Sequence, residues 1–293
     1  MTKHAKGAAA AMLSAVCFGL MPLLTKMIYA QGSEPITVVF LRFLIVSPVI
    51  FVCLRRWGVP LKVTRAELKR IAILAIFGYG GTAVLYFAAF SRNPAGLTVT
   101  LHFVYPVLVI VAGVIFLRQK PTWMMVTSVA LCIAGIALLS GGATVADPLG
   151  MVLAVASGMT YAFYIVYLHH SGLSAMHTLK LILYMNLMAS VLMLVCGAFN
   201  GGLKFPVSAK GWVFTVVLSL MVSLVAVQLF QIGVRAIGPQ RSAILSTFEP
   251  LTGVLTGVMF YREPFTGITA LGSALVLAAV VLTTLEKPQE KKE

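Results

Sequence analysis

Apolar residues run along this chain in stretches of about twenty, separated by short polar breaks. That length matters because a helix rising about 1.5 Å per residue needs about twenty residues to cross a hydrocarbon layer roughly 30 Å thick. Ten such runs can be placed, near 7–30, 36–54, 69–91, 95–117, 122–140, 149–168, 176–198, 211–235, 239–261 and 265–284. The pattern predicts an all-α integral membrane protein of ten transmembrane helices. The first run follows Lys3 and Lys6, as a signal peptide would, but it is too long and has no convincing cleavage site, so a retained helix is expected. Trp57, Trp123 and Trp212 fall at span ends, where indole rings favour the headgroup boundary.

The runs are written twice. Ala95–Gln119 overlays Pro239–Glu263 at a shift of 144 positions, matching Leu101/Leu245, Pro106/Pro250, Gly113/Gly257, Val114/Val258, Phe116/Phe260 and Arg118/Arg262. The turns Asn93-Pro94 and Gly238-Pro239 correspond. So do Gly7/Gly150, Ala11/Ala154 and Ser14/Ser157, at a shift of 143. Five spans per half is an odd number, so the second copy must lie upside down relative to the first. The expected organisation is two inverted five-helix repeats, 1–146 and 147–293, an architecture that places a binding site at mid-membrane between the halves.

Composition agrees and adds an orientation. Sixty per cent of residues are hydrophobic, 10% are charged, and mean hydropathy is +0.99, which excludes a soluble domain. The net charge of +14 reads as basic loops, because no polar domain is present to offer a nucleic-acid surface. With both termini in the cytoplasm, cytoplasmic segments hold 15 Lys and Arg residues and outer loops hold 4. The positive-inside rule therefore favours cytoplasmic termini. Cys17, Cys53, Cys132 and Cys196 lie in or beside apolar runs without metal-ligand spacing, so no metal or cofactor is expected.

Polar residues within spans are the candidates for function, since a charge at the bilayer centre costs about 2.5–3.5 kcal/mol on insertion scales. Glu249 is the one acid far from a predicted membrane edge, and Pro250 beside it frees a backbone carbonyl from its helical partner. In the fourth run Thr98, His102 and Tyr105 share a helix face; their repeat partners are Ser242, Ser246 and Glu249. Tyr79, Thr82 and Tyr86 share a face of the third run, after the Gly78, Gly80, Gly81 cluster. Tyr161 and Tyr164 follow Ser157 in the sixth, and Phe18 and Met21 follow Ser14 in the first. A cavity rimmed by aromatic and polar groups suits an amphipathic organic molecule; helix-to-helix hydrogen bonding in a packed bundle is the competing explanation. His102, with an ordinary pKa near about 6.5, is a candidate carrier of a coupling proton, against a neutral hydrogen-bonding role. Arg42, inside the second run, either draws a carboxylate to a cleft or serves structure.

The order Pro35…Arg42, a proline-centred fourth run, Phe248-Glu249-Pro250 and Tyr261-Arg262-Glu263 resembles the drug/metabolite transporter superfamily, EamA type, over about residues 7–284. The resemblance implies ten helices, alternating access, and export of small metabolites, often amino acids, from the bacterial cytoplasm across the inner membrane. It favours a structural role for Arg42, capping carbonyls or meeting lipid phosphate; Pro106 and Pro250 are gating or structural candidates, and Glu249 is a candidate substrate-amine or proton site that the resemblance tips towards structure and gating. One departure is that Glu263 is matched by Gln119 in the first half.

The expected partners are a small-molecule substrate, a coupling proton and the lipid bilayer, with no nucleic acid. A monomer should suffice, since ten spans already enclose a path. The rival substrates are drugs and sugar or nucleotide derivatives. A membrane-embedded enzyme would need acids, histidines or a nucleophile pair clustered at one depth, and no such cluster is visible; a channel would need a ring of like residues.

Overall fold

The computed structural model describes residues 3–117, 122–142, 147–237, 245–246 and 248–285. Among them there is no strand. Fourteen helices follow one another: α1 (Lys3–Gly19), α2 (Met21–Tyr29), α3 (Pro35–Arg56), α4 (Arg65–Ile73), α5 (Gly81–Phe90), α6 (Ala95–His102), α7 (Tyr105–Leu117), α8 (Trp123–Gly142), α9 (Pro148–His170), α10 (Thr178–Phe199), α11 (Ala209–Leu220), α12 (Val227–Ile237), α13 (Phe248–Tyr261) and α14 (Gly267–Leu285).

Their ends follow local chemistry. Pro22, Pro35 and Pro148 stand in first turns, where a missing N–H leaves no intrahelical bond unmade. Thr64 and Glu67 form a capping box at α4, while the side chains of Asp147 and Ser208 accept from Leu149 N and Gly211 N.

Six continuous helical runs are long and apolar enough to cross a bilayer: His4–Tyr29, Pro35–Arg56, Arg65–Phe90, Pro148–Leu168, Thr178–Phe199 and Ala209–Phe230. Ala95–Val109, Trp123–Leu139 and Gly267–Leu282 are shorter apolar helices. The fourth expected run is two helices, α6 and α7, parted at Phe103 and Val104. Pro106 supplies no N–H to the carbonyl of His102, four residues before it, and α6 ends at that residue. The ninth expected run, 239–261, lies partly outside the described residues, as do Gln119 and Ser242; its described helix is α13.

The exterior is apolar and the interior holds the polar groups. Leu13, Val52, Ile115, Ile133, Val152, Val191 and Met259 are exposed, whereas Ser14, Arg42, Thr98, Ser157, Asn186, Thr215 and Ser223 are buried. In a bilayer lipid solvates the apolar faces, and most interior hydroxyls find a partner, Thr25, Ser33, Tyr86, Ser128 and Ser273 being exceptions among the described residues. Many return to their own helix: Ser47 donates to Phe43 O, Thr100 to Gly96 O, Thr215 to Gly211 O.

The five most extensive helix pairs are α8 with α14, α1 with α12, α3 with α10, α5 with α9, and α6 with α13. Each joins a helix before residue 147 to one after it. Two of the runs also widen into π turns, at Leu74–Gly80 and Met221–Ala226. These overlap under the 144-residue shift, and π turns are frequent where a helix serves function.

Candidate functional site

Between these pairs lies a cavity of about 130 Å³. Its wall combines Arg42 from α3, Tyr79 from the first π turn, Thr82, Ala83 and Tyr86 from α5, His102 at the end of α6, and Tyr105 opening α7. From after residue 147 come Tyr161 on α9, Val227 on α12 and Glu249 on α13; Phe18 and Met21 complete it.

His102 is held from behind. Its Nδ1 lies 2.8 Å from Ser157 Oγ, and that hydroxyl donates its one hydrogen to Ala154 O at 2.6 Å. Ser157 therefore accepts, so Nδ1 carries the proton and Nε2 of the neutral ring is left as an acceptor. The ring stacks on Tyr86 at 4.1 Å between centroids and lies 5.7 Å from Tyr105 and 5.6 Å from Tyr161. Gly158 permits this approach: a Cβ there would sit 2.8 Å from His102 O, the carbonyl that Pro106 leaves open. Tyr86 lines the cavity with a buried hydroxyl that has no partner among the described residues. In a lipid-surrounded bundle such a group is costly unless a ligand or water meets it.

Arg42 stands on the opposite chemistry. It is 8% exposed; its Nε donates to Ser223 Oγ at 3.1 Å, one Nη reaches Met21 Sδ at 3.8 Å, and its plane lies 5.5 and 5.6 Å from the rings of Phe43 and Phe87. Tyr79 packs beside both Arg42 and Ser223. Arg42 thus faces the interior of the bundle and lines the cavity. Ser223 was missed by sequence reasoning, although it stands 144 positions after Tyr79 and so was reachable through the repeat.

Glu249 lines the same cavity. The carbonyl that Pro250 opens belongs to Ser246, and the backbone N–H of Glu249 itself takes it at 2.9 Å. The carboxyl is freed for the cavity, where it has no ion pair among the described residues. The arrangement is one acid and one guanidinium facing a small aromatic chamber, with the His102 Nε2, the Tyr86 hydroxyl and the Thr82 hydroxyl between them. Thr82 is 2.9 Å from Thr160 Oγ1.

Other expected site residues lie elsewhere. Thr98 is fully buried and donates to Pro94 O, one turn back in its own helix, at 2.9 Å. Tyr164 sits behind the wall, stacked on Tyr161 at 5.5 Å with 7° between planes, because Gly78 brings the first π turn against it. Ser246 precedes α13 and Pro250 is buried within it, neither lining the cavity; Pro106 lies in α7 and acts through the N–H it lacks.

A second site carries a connection that the sequence only hinted at. Glu263, in the turn after α13, accepts from Ala95 N at 2.8 Å with each oxygen and from Lys26 Nζ at 2.5 Å. It thereby anchors the first turn of α6, the helix that ends in His102. Arg92 pairs with Asp147 at 2.7 Å and Lys204 with Glu34 at 2.5 Å. All three pairs join residues before 147 to residues at or after it.

Comparison with known proteins places this geometry. The EamA-like transporter family matches the chain twice, over residues 5–141 and 148–285. An uncharacterized transporter of Archaeoglobus fulgidus is 27% identical over 285 residues, covering 96% of this chain and 97% of the relative. The threonine/homoserine exporter RhtA of Escherichia coli K12 is 25% identical over 245 residues, covering 80% and 77%. The UDP-galactose/UDP-glucose transporter 7 of Arabidopsis thaliana is 25% identical over 276 residues, covering 90% and 81%. A solved crystal structure aligns with a TM-score of 0.68 at 18% identity over 95% of this chain and 97% of its own, a likeness of fold.

Proposed function

Because the chain belongs to the EamA-like transporter family, we propose that this membrane transporter exports small zwitterionic metabolites, amino acids foremost, by alternating access between two inverted five-helix repeats. The observation that carries the substrate class is the pairing of Glu249 with Arg42 around one small aromatic chamber. An α-amino acid places an ammonium and a carboxylate close together, so it offers a charge-assisted hydrogen-bonding partner to each of the two groups. Tyr86 and the His102 Nε2 then supply a donor and an acceptor to a polar side chain, while Phe18, Met21 and Val227 accommodate its apolar part.

The repeat reading has its own support. If helical runs are numbered one to ten, the five most extensive contacts pair one with eight, three with six, two with seven, four with nine and five with ten. Exchanging the halves turns this set into itself, as a two-fold relation requires. Ten crossings place both termini on one side, and the excess of basic residues puts that side in the cytoplasm of a bacterial inner membrane.

A nucleotide-sugar substrate, which the Arabidopsis relative's name describes, is the second reading. Among the described residues Arg42 is the one guanidinium or ammonium on the chamber wall, a single cation for the two phosphates of a nucleotide sugar. No catalytic chemistry is assigned to the chain. Efflux from liposomes containing the purified protein, measured for amino acids and for a UDP-sugar with and without a pH gradient, distinguishes the readings and tests the coupling proton.

A further inference from the structure

A separate cavity of about 560 Å³ opens at one end of the bundle, where α3 gives way to α4 and α9 to α10. Arg70 and Lys180 stand on its wall, with His177 between them in sequence order and Glu67 one turn before Arg70 on α4. The cations are fixed by one bond each: Arg70 donates to Ser171 O at 3.0 Å and Lys180 to Lys62 O at 2.6 Å. Guanidinium and ammonium keep further N–H donors for a ligand after those bonds. One oxygen of the Glu67 carboxylate, Oε2, is used by the capping box, accepting from Thr64 N at 2.7 Å and from Thr64 Oγ1 at 2.9 Å, and the acid stands near both Arg70 and Lys180.

The rest of the wall fits a lipid. Gly58 and Gly172 line it at φ +67° and +75°, and a Cβ on either would meet nothing within 4 Å, so the backbone lies open to an approaching group. Trp57, at the mouth, is 61% exposed at the end of α3, the depth of the headgroup boundary. Val59, Leu173 and Met176 give the wall an apolar side. Arg55, Arg56, Arg65 and Lys69, at the end of α3 and on α4, are exposed and do not line the cavity.

From this geometry we infer that the cavity binds the phosphodiester headgroup of an anionic phospholipid, with Arg70 and Lys180 on the phosphate and Trp57 at the glycerol level. Basic pockets between membrane helices are suited to such headgroups. The site draws on the loop after α3 and the loop after α9, so an occupied site bridges the segments before and after residue 147. It stands independently of the substrate assignment.

The test uses the full chain in detergent, with binding read as the rise in midpoint of thermal unfolding. Dihexanoyl-phosphatidylglycerol is titrated beside dihexanoyl-phosphatidylcholine and inorganic phosphate. Phosphatidylglycerol should raise the midpoint at concentrations where the other two do not. Arg70→Gln/Lys180→Gln should weaken that effect about tenfold or more, and Arg55→Gln/Lys69→Gln, with the same charge removed outside the cavity, about threefold or less. Equal weakening by both pairs, or an equal rise with phosphatidylcholine or free phosphate, would overturn the inference. If the cavity pair does not fold, Lys180→Gln alone, which gives up one bond to Lys62 O, must show the larger loss of the single variants when compared with Lys69→Gln.

Discussion

The Glu263 carboxylate lies 2.5 Å from Lys26 Nζ while both of its oxygens accept from the N–H of Ala95, so one acid ties α2, the turn after α13 and the first turn of α6 together. Side-chain exposure of 20% for Lys26 and 11% for Glu263 puts the pair between surface and buried cases. Glu263→Gln should lower stability by about 1–3 kcal/mol, since exposed pairs contribute little and the loss of one partner from a buried pair costs more. Chemical or thermal unfolding in detergent measures it; a midpoint equal to that of wild type would remove the anchor from the account.

Ser157→Ala should cost about 1–3 kcal/mol, because it leaves the Nδ1–H of His102 buried without its acceptor. The tautomer is directly observable. Nitrogen-15 spectra of histidine-labelled protein should show His102 protonated on Nδ1 in wild type and altered in this variant. Protonation on Nε2 in wild type would contradict the geometry.

Gly158→Ala should be among the more damaging single-methyl additions in the bundle. Its Cβ would meet the backbone oxygen of His102 at 2.8 Å, and backbone cannot move aside as a side-chain end does. Overpacking of this kind costs about 1–3 kcal/mol. Transport should fall more than yield, because the displaced group is the ring that faces the chamber; a variant transporting at the wild-type rate would show that His102 need not be held so closely.

The pair of Arg92 and Asp147 predicts the shape of the acid limb. The hydrogen bond from Arg92, aided by Leu149 N–H, holds the Asp147 carboxyl below its ordinary 3.8. A carboxyl with a depressed folded-state pKa contributes stability that is complete above the ordinary value and lost as pH falls through the lower, folded-state one. Unfolding midpoints measured from pH 6 down to pH 3 should therefore decline less steeply in Asp147→Asn than in wild type. Parallel declines would mean that the pair contributes nothing to folding.

Substitution at the two charged groups separates binding from structure. Glu249→Gln preserves shape, and its backbone bond to Ser246 O remains, so the protein should fold normally while transport of zwitterions falls at least tenfold. Arg42→Gln should also lose transport but fold less well, since Ser223 and Tyr79 lose their partner. Normal transport by well-folded Glu249→Gln would return this residue to the structural role that the sequence resemblance implied.

How much was legible in the sequence follows from which physical signal each feature leaves. Length and hydropathy of the runs mark the apolar helices, and Tyr79, Thr82 and Tyr86, whose spacing puts them on one face, all line the cavity. The glycines around Tyr79 marked a bend, and a π turn lies there; Met221–Ala226 contains no glycine, so its matching turn left no sign. Thr98 shares the helix face of His102 and was grouped with it, but its hydroxyl bonds backward to Pro94 O, which also accepts the Thr98 N–H. The stripe rule cannot register that competition. At Glu249 the proline signal marked the Ser246 carbonyl as lacking its usual helical partner, but not that the backbone N–H of Glu249 would bond it. Glu263 was visible only as an asymmetry with Gln119, because its partners Lys26 and Ala95 are brought to it by tertiary packing.

The most direct test of the central claim is efflux from proteoliposomes loaded with a matched panel: a neutral amino acid such as threonine, its N-acetyl derivative, the corresponding amine lacking the carboxylate, and a UDP-sugar. Reading the chamber as a zwitterion site between Glu249 and Arg42 predicts rapid efflux of the amino acid and at least tenfold slower efflux of both single-charge analogues and the nucleotide sugar. Efflux of the UDP-sugar with none of the amino acid, or equal efflux of the amino acid and its two analogues, would contradict it.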